Sequence, residues 1–158
     1  MSFSIIAAVG KNRELGSRGS LCFSLSDDLK YFKKTTLGHK CLMGYRTFVS
    51  LPRKLSGREI LVASHETVDG ADETITNLDK FIAENEDSKD EIFVCGGGMI
   101  YKELLPHCKK LYLTEIDEAC EAADTFFPEF DKSLYDKKVI NKGKENDLAF
   151  SFAIYTKK

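Results

Sequence analysis

Residues 91–105 read Glu-Ile-Phe-Val-Cys-Gly-Gly-Gly-Met-Ile-Tyr-Lys-Glu-Leu-Leu. The apolar run Glu91 to Cys95 is the pattern of a buried strand. Gly96-Gly97-Gly98 turns it, and Met99 to Leu105 reads as a helix stopped by Pro106. A strand feeding a helix through glycines is one half of a strand-helix-strand unit, and the chain on either side repeats the alternation. Phe3-Ser-Ile-Ile-Ala-Ala-Val9 is almost continuously apolar, as in an interior strand with helices on both faces. Ser26 is predicted to cap a helix running to about Thr35, with Asp27 and Asp28 in its first turn and Lys33 and Lys34 in its last, an order that suits the helix dipole. Cys41-Leu-Met43 breaks at Gly44 into a brief helix through Phe48, Glu59 to Ala63 is another buried strand, and Asn77 caps a helix carrying Leu78, Phe81 and Ile82. From Lys109 the texture changes: Leu111 to Ile116 and Leu148 to Thr156 are strand-like with only loops and turns between them, and are expected to add antiparallel pairs at one edge. The predicted class is α/β, with a mostly parallel sheet.

A chain of 158 residues, 42% hydrophobic and 30% charged, fits one compact domain spanning 1–158, with no repeat or linker to divide it. The formal net charge of -2 offers no basic field to a polyanion, so nucleic acid is not an expected partner. No apolar run approaches the ~20 residues that span a bilayer, and the N-terminus lacks a signal-peptide pattern, so the expectation is a cytoplasmic protein without a membrane partner. Five cysteines, an odd number with no Cys-x-x-Cys pair, are expected to stay as thiols. His39, His65 and His107 have no ligand spacing, and no metal site is predicted.

Three features carry chemistry. The helix near residue 28 places Asp28, Leu29 and Phe32 on one side, so the carboxylate stands at the border of an apolar face. On pattern alone that position suits a plain first-turn acid better than a ligand-binding one, and the spacing does not settle it. Gly96-Gly97-Gly98 lets the backbone approach a bulky anion at a helix N-terminus, although a tight structural turn explains it as well, since it is neither Gly-x-Gly-x-x-Gly nor a P-loop. Gly44-Tyr-Arg-Thr47 is a second strand-to-helix turn with a cation and a hydroxyl, and two such turns fit a dinucleotide better than a mononucleotide. Arg58, just before a strand, is either a surface charge or a bidentate grip for a carboxylate. No Ser-His-Asp order, nucleophile elbow or reactive-cysteine signature appears. Redox chemistry with a bound dinucleotide is the class that remains.

Over essentially the whole chain these residues resemble the dihydrofolate reductase family. The match runs in order through Ile5-Ile-Ala-Ala-Val9, Leu15-Gly16, Leu25, Asp28-x-x-x-Phe32-x-x-x-Thr36, Met43-Gly-x-x-Thr47-Phe48 with Ser50, Leu55-x-Gly57-Arg58, Gly96-Gly-Gly-x-x-Tyr101, Leu111-Tyr-Leu-Thr-x-Ile116 and Asp124-Thr-x-Phe-Pro128. The resemblance implies a single-domain fold of about eight strands, mostly parallel with an antiparallel C-terminal edge, and about four flanking helices. It implies NADPH-dependent reduction of 7,8-dihydrofolate to tetrahydrofolate, supplying one-carbon metabolism, by a monomer that antifolate inhibitors can bind. Asp28, assisted by Thr114, would hold the pterin's 2-amino group and N3. The ionised carboxylate then favours protonation at N5, so that C6 accepts hydride. Phe32 and Leu51 would pack on the substrate rings, Arg58 would take the glutamate α-carboxylate, and Ile6, Ala7 and Cys95 would border the pterin. Ala8 and Leu15 would border the nicotinamide. Gly97, Gly98, Arg46 and Thr47 would hold the pyrophosphate region, and Gly16, Gly44, Tyr45, Ser64, His65, Cys95, Gly96, Met99, Ile100 and Tyr101 would complete the cofactor side. The bond Gly96–Gly97 is expected to be cis.

The chain also departs from the family. Leu21-Cys22-Phe23 stands where the family usually has Leu or Met followed by Pro-Trp in the loop over the substrate. Leu21 and Phe23 keep the apolar cover, the indole N–H is lost, and Cys22 removes a fixed backbone torsion. A changed pH profile or slower turnover than a Phe23→Trp variant is expected. Tyr45 and Met99 replace residues that are often arginine, leaving Arg46, Ser64 and His65 to meet the 2'-phosphate; NADPH is expected to be preferred over NADH by a smaller margin. The alternatives are a reductase of similar fold acting on a ribosylated pyrimidine, and an inactive dinucleotide-binding module. Asp28, Phe32 and Arg58 together favour folate.

Overall fold

The computed structural model describes residues 2–52 and 55–158. Strands β1 (Phe3–Val9), β2 (Glu14–Ser17) and β3 (Ser20–Leu21) precede helix α1 (Ser26–Thr36). Strand β4 (Lys40–Gly44) runs directly into α2 (Tyr45–Ser50), and β5 (Glu59–Ala63) and β6 (Glu73–Ile75) precede α3 (Leu78–Asn85). Strand β7 (Ile92–Val94) leads to α4 (Gly98–Leu104), followed by β8 (Cys108–Ile116), β9 (Thr125–Phe126), β10 (Tyr135–Glu145) and β11 (Leu148–Lys157). Eight strands form one sheet in the order β10-β11-β8-β1-β7-β4-β5-β6, parallel from β8 to β6 and antiparallel at β11 and β10. The expected sheet, with its antiparallel C-terminal edge and four helices, is present.

The interior strands are apolar throughout because both of their faces are covered. Ile6, Cys41, Met43, Ile60, Val62 and Phe93 point to one side, under Phe32 of α1 and Phe48 of α2. Ile5, Ala7, Val9, Leu42, Leu61, Ile92 and Val94 point to the other, against Phe81 and Ile82 of α3 and Tyr101 and Leu104 of α4. Side chains such as Ile5, Leu42 and Leu61 are fully buried, each stabilising the fold by roughly 1.5–3 kcal/mol.

Several expectations need correction. Ser26 is the first residue of α1 rather than its cap. The cap comes from Glu145 at the end of β10, whose carboxylate accepts from the N–H of Ser26 at 2.9 Å, the N–H of Asp27 at 3.1 Å and the Ser26 hydroxyl at 3.0 Å. These backbone donors hold the Glu145 carboxyl below the usual range. The interval between the last two expected strands is not all loop: β10 fills residues 135–145 and pairs with β11 along its length. Only Tyr135 in it is buried. Asn146 and Asp147, at φ 52° and 65°, join β10 to β11 in a two-residue turn of the left-handed kind that such hairpins prefer. A small second sheet, β3-β2-β9, was also unforeseen. Pro106 sits inside a single 3-10 turn, Leu105–His107, that extends α4, at a position where no backbone donor is required. Asn77 does cap α3, accepting from the Lys80 N–H at 3.0 Å.

Candidate active site

Helix α1 lies across the sheet face formed by Ile6, Tyr112, Thr114 and Phe152. Tyr31 stacks on Phe152 at 4.2 Å between ring centroids, which fixes the helix above β11 and β8. On α1, Asp28, Phe32 and Thr36 follow at intervals of four and so form one stripe about 12 Å long. At its N-terminal end the buried Thr114 hydroxyl donates to Asp28 Oδ1 at 2.6 Å. Burial pushes the Asp28 carboxyl up, and the Thr114 hydrogen bond opposes it. In the middle, Phe32 packs with Leu51, Leu55 and Ile6. At the C-terminal end Thr36 is fully buried. Its Oγ1 accepts from Arg58 Nε at 2.8 Å, while the guanidinium also donates to the carbonyls of Ser56 and, at 2.7 Å, Lys33. Three of the five guanidinium donors are thereby used to fix the group, and two N–H donors are left for a ligand. Leu29, expected on the apolar face, is 45% exposed, so the helix offers the sheet a narrower apolar stripe than the sequence pattern indicates.

The two glycine turns meet because β4 and β7 are neighbouring parallel strands. The Gly44 N–H donates to the Gly96 carbonyl at 2.8 Å. A Cβ on Gly44 would stand 3.3 Å from Ile100 Cγ1, and one on Gly97 would stand 3.4 Å from Thr47 Oγ1. Gly96 has φ 121°, and the Gly96–Gly97 bond is cis as expected. Ser64 follows β5, the strand beside β4, so residues 44–47, 64–65 and 96–101 all lie beyond the carboxyl ends of three adjacent strands. Tyr45 is half-exposed and Met99 is 81% exposed. Backbone amides, the Thr47 hydroxyl and the Arg46 guanidinium make a donor set suited to a pyrophosphate, on turns where side-chain bulk is absent.

Other expected residues fall into place differently. Ile6 and Cys95 are next to each other across β1 and β7, one step past the Ile5–Val94 pair. The Ile6 carbonyl already accepts from the Tyr101 hydroxyl at 2.8 Å, leaving one lone pair for another donor. Ala7 and Leu15 turn their side chains into the main core cluster, so only their backbones can reach the cleft. Ala8 faces the α1 side, near Phe23, which packs beside Leu25 and Phe150. Leu21 is 60% exposed on β3. Ser64 Oγ accepts from the Glu66 N–H at 3.4 Å, and His65 is exposed. Missed by the sequence reading were Glu145, the positioning of Arg58 by Thr36, and the Tyr101 hydroxyl; no local pattern reports contacts between such distant residues. Among the described residues no group of three His, Cys, Asp or Glu converges as a metal site, and no helix is long and apolar enough to cross a membrane. An open cavity of about 890 Å³ lined by Lys11, Arg13, Glu115, Glu129 and Lys132 contains none of the candidate site residues and converges on no buried polar group.

A cleft holding a half-buried carboxylate bound by a buried hydroxyl, flanked by paired glycine turns at the carboxyl ends of a parallel sheet, defines a nucleotide-dependent α/β reductase scaffold. The family model described as dihydrofolate reductase matches residues 2–157. A dihydrofolate reductase of Bacillus subtilis is 36% identical over 159 residues, covering 98% of this chain and 94% of that protein. Dihydrofolate reductase HdrB of Haloferax volcanii is 34% identical over 168 residues, covering 99% and 84%. The solved structure of an Enterococcus faecalis dihydrofolate reductase complexed with NADP(H) and RAB-propyl superposes with a TM-score of 0.87 at 28% identity, covering 99% of this chain and 96% of that one. The chain belongs to the dihydrofolate reductase family.

Proposed function

We propose that this chain, acting as a single domain and as a monomer in the cytoplasm, reduces 7,8-dihydrofolate to tetrahydrofolate with NADPH. The observation that carries the reading is the Asp28–Thr114 pair: a half-buried carboxylate with one oxygen oriented by a buried hydroxyl. The other oxygen is available to the 2-amino and N3 edge of a pterin. Held there in its ionised form, Asp28 stabilises positive charge on the ring, favours the proton at N5 and leaves C6 electron-poor. Phe32 and Leu51 cover the rings, and the two remaining Arg58 donors take the α-carboxylate at the far end of the same helix stripe. The backbone carbonyls of Ile6 and Cys95 accept from the opposite pterin edge, while Leu21 and Phe23 exclude water from above. NADPH supplies the hydride when bound. Gly97, Gly98, Arg46 and Thr47 hold its pyrophosphate region, and Ser64, His65 and Arg46 meet the 2'-phosphate. With Tyr45 and Met99 adding no cation, the preference for NADPH over NADH is smaller than the family norm.

The experiment is loss of NADPH absorbance with and without dihydrofolate, with Asp28→Asn beside the wild type. Oxidation that requires dihydrofolate and collapses in the variant supports the reading. NADPH binding without oxidation would leave an inactive dinucleotide-binding module. An NADH efficiency equal to that of NADPH would refute the assignment of the 2'-phosphate residues.

A further inference from the structure

We propose that Cys22 and Cys120 are a disulfide-forming modification site, joined and released by exchange with low-molecular-weight disulfides and thiols, that ties the β2–β3 hairpin to the loop before β9. The five cysteines are free thiols, and two pairs of them are in hydrogen-bond contact: Cys22 with Cys120, and Cys41 with Cys95. Cys41 is fully buried, whereas Cys22 and Cys120 are both partly exposed, so a soluble oxidant reaches only the latter pair from both sides.

The backbone brings this pair together independently of the sulfur contact. The Cys22 N–H donates to the Leu15 carbonyl at 3.0 Å, and the Cys120 N–H donates to Glu14 Oε2 at 2.6 Å, so the two cysteines are tethered to consecutive residues of β2. Glu14 is buried, and its other oxygen accepts from the Asn12 N–H at 2.6 Å, which fixes that tether in place. Two further bonds hold the hairpin and the loop in register: Asp124 N–H to the Gly16 carbonyl at 2.9 Å, and Arg18 N–H to Asp124 Oδ2 at 2.9 Å. These bonds hold both cysteine backbones to β2, the fixed base from which the two side chains would reach one another.

Burial and the contact with Cys120 push the Cys22 thiol up to about 12, and the nearby negative charges of Glu14 and Asp124 add to the rise. One thiol of the pair, as its thiolate, attacks one sulfur of a small disulfide such as oxidised glutathione and expels the first glutathione thiolate. The other thiol then loses its proton to solvent and attacks the sulfur of the first, expelling the second glutathione thiolate. Two protein thiols are oxidised and one external disulfide is reduced to two thiols.

The test uses the reduced full chain incubated with oxidised glutathione, then alkylated and peptide-mapped without reductant. Cys22→Ser and Cys120→Ser variants run in parallel, with circular dichroism as the check that they fold. The expected result is a Cys22–Cys120 link in the wild type with no retained glutathione and a mass lower by two hydrogens. Dithiothreitol restores the thiols, and the link is absent from both variants. Mixed disulfides that persist on Cys22 or Cys120, chain-to-chain dimers, or a Cys41–Cys95 link in its place would overturn the proposal. The map does not depend on catalysis, so its outcome is separate from that of the reductase assay.

Discussion

Replacing Thr114 by valine removes one hydroxyl from a side chain that is 2% exposed, and leaves its shape intact. That hydroxyl donates to Asp28 at 2.6 Å, and a hydrogen bond to a charged group is worth about 1.5–3 kcal/mol. Burial raises the Asp28 carboxyl and the Thr114 bond opposes it, so its loss tips the carboxyl further towards the neutral acid, by roughly ten- to 150-fold in the ratio of the two forms. An acid whose ionised form has lost a donor holds its proton to higher pH. The acid limb of the kcat/KM profile for dihydrofolate therefore moves upward in pH. On that limb the variant falls below the wild type by about the same ten- to 150-fold, and the two curves converge towards the plateau. The assay is steady-state NADPH oxidation across the pH range, with Thr114→Ser as a control that keeps the donor. A loss that is uniform with pH, or an equal loss in Thr114→Ser, would refute the claim that Thr114 acts through the charge of Asp28.

Asp28→Asn abolishes turnover yet raises Tm at neutral pH. The native state holds this carboxyl above its unfolded value, so the cost of ionising it is absent below about pH 3.9 and full once pH exceeds the native value; the Tm gain should vanish in acid. A variant less stable than the wild type at neutral pH would contradict the burial cause. Gly96→Ala places a side chain at φ 121° and should lower the urea midpoint by the equivalent of about 1–3 kcal/mol, together with weaker NADPH binding by fluorescence; an unchanged midpoint would show that the turn tolerates a Cβ. Glu145→Ala should lower Tm, since it strips the cap from α1. Because the native Glu145 carboxyl lies below its unfolded value, that deficit is present at neutral pH and closes as pH falls through the native value. Phe23→Trp should turn over faster on the acid side, with matching pH–rate curves as the result that defeats it.

The parallel core was legible because its signal is local. The apolar runs at Phe3–Val9, Glu59–Ala63 and Ile92–Val94 are covered on both faces, and glycines punctuate the strand-to-helix turns. Strand β10 was not legible. Ten of its eleven residues escape burial, and Lys137, Lys138, Lys142 and Lys144 give it the composition of a loop, although such lysines also discourage pairing between chains at an open edge. Its one available signal was the Asn146-Asp147 turn. Asp28 and the glycine turns were legible as chemistry-bearing residue types, and the ordered motif named their family. The second neighbours were not: Thr36 under Arg58, Tyr101 on Ile6 and Glu145 on Ser26 meet only through the fold.

The Glu145 cap also bears on the order in which the molecule becomes competent. It joins residues 119 positions apart, and the Thr114 contact spans 86. While the chain is being synthesised, the helix that carries Asp28 is made early and left without the carboxylate that ends it and without the hydroxyl that aims it. Closure over such separations is slow relative to helix growth. The nucleotide turns at residues 44 and 96 can pair before the C-terminal hairpin exists. The substrate end of the cleft therefore sets last, once residue 145 reaches the start of α1.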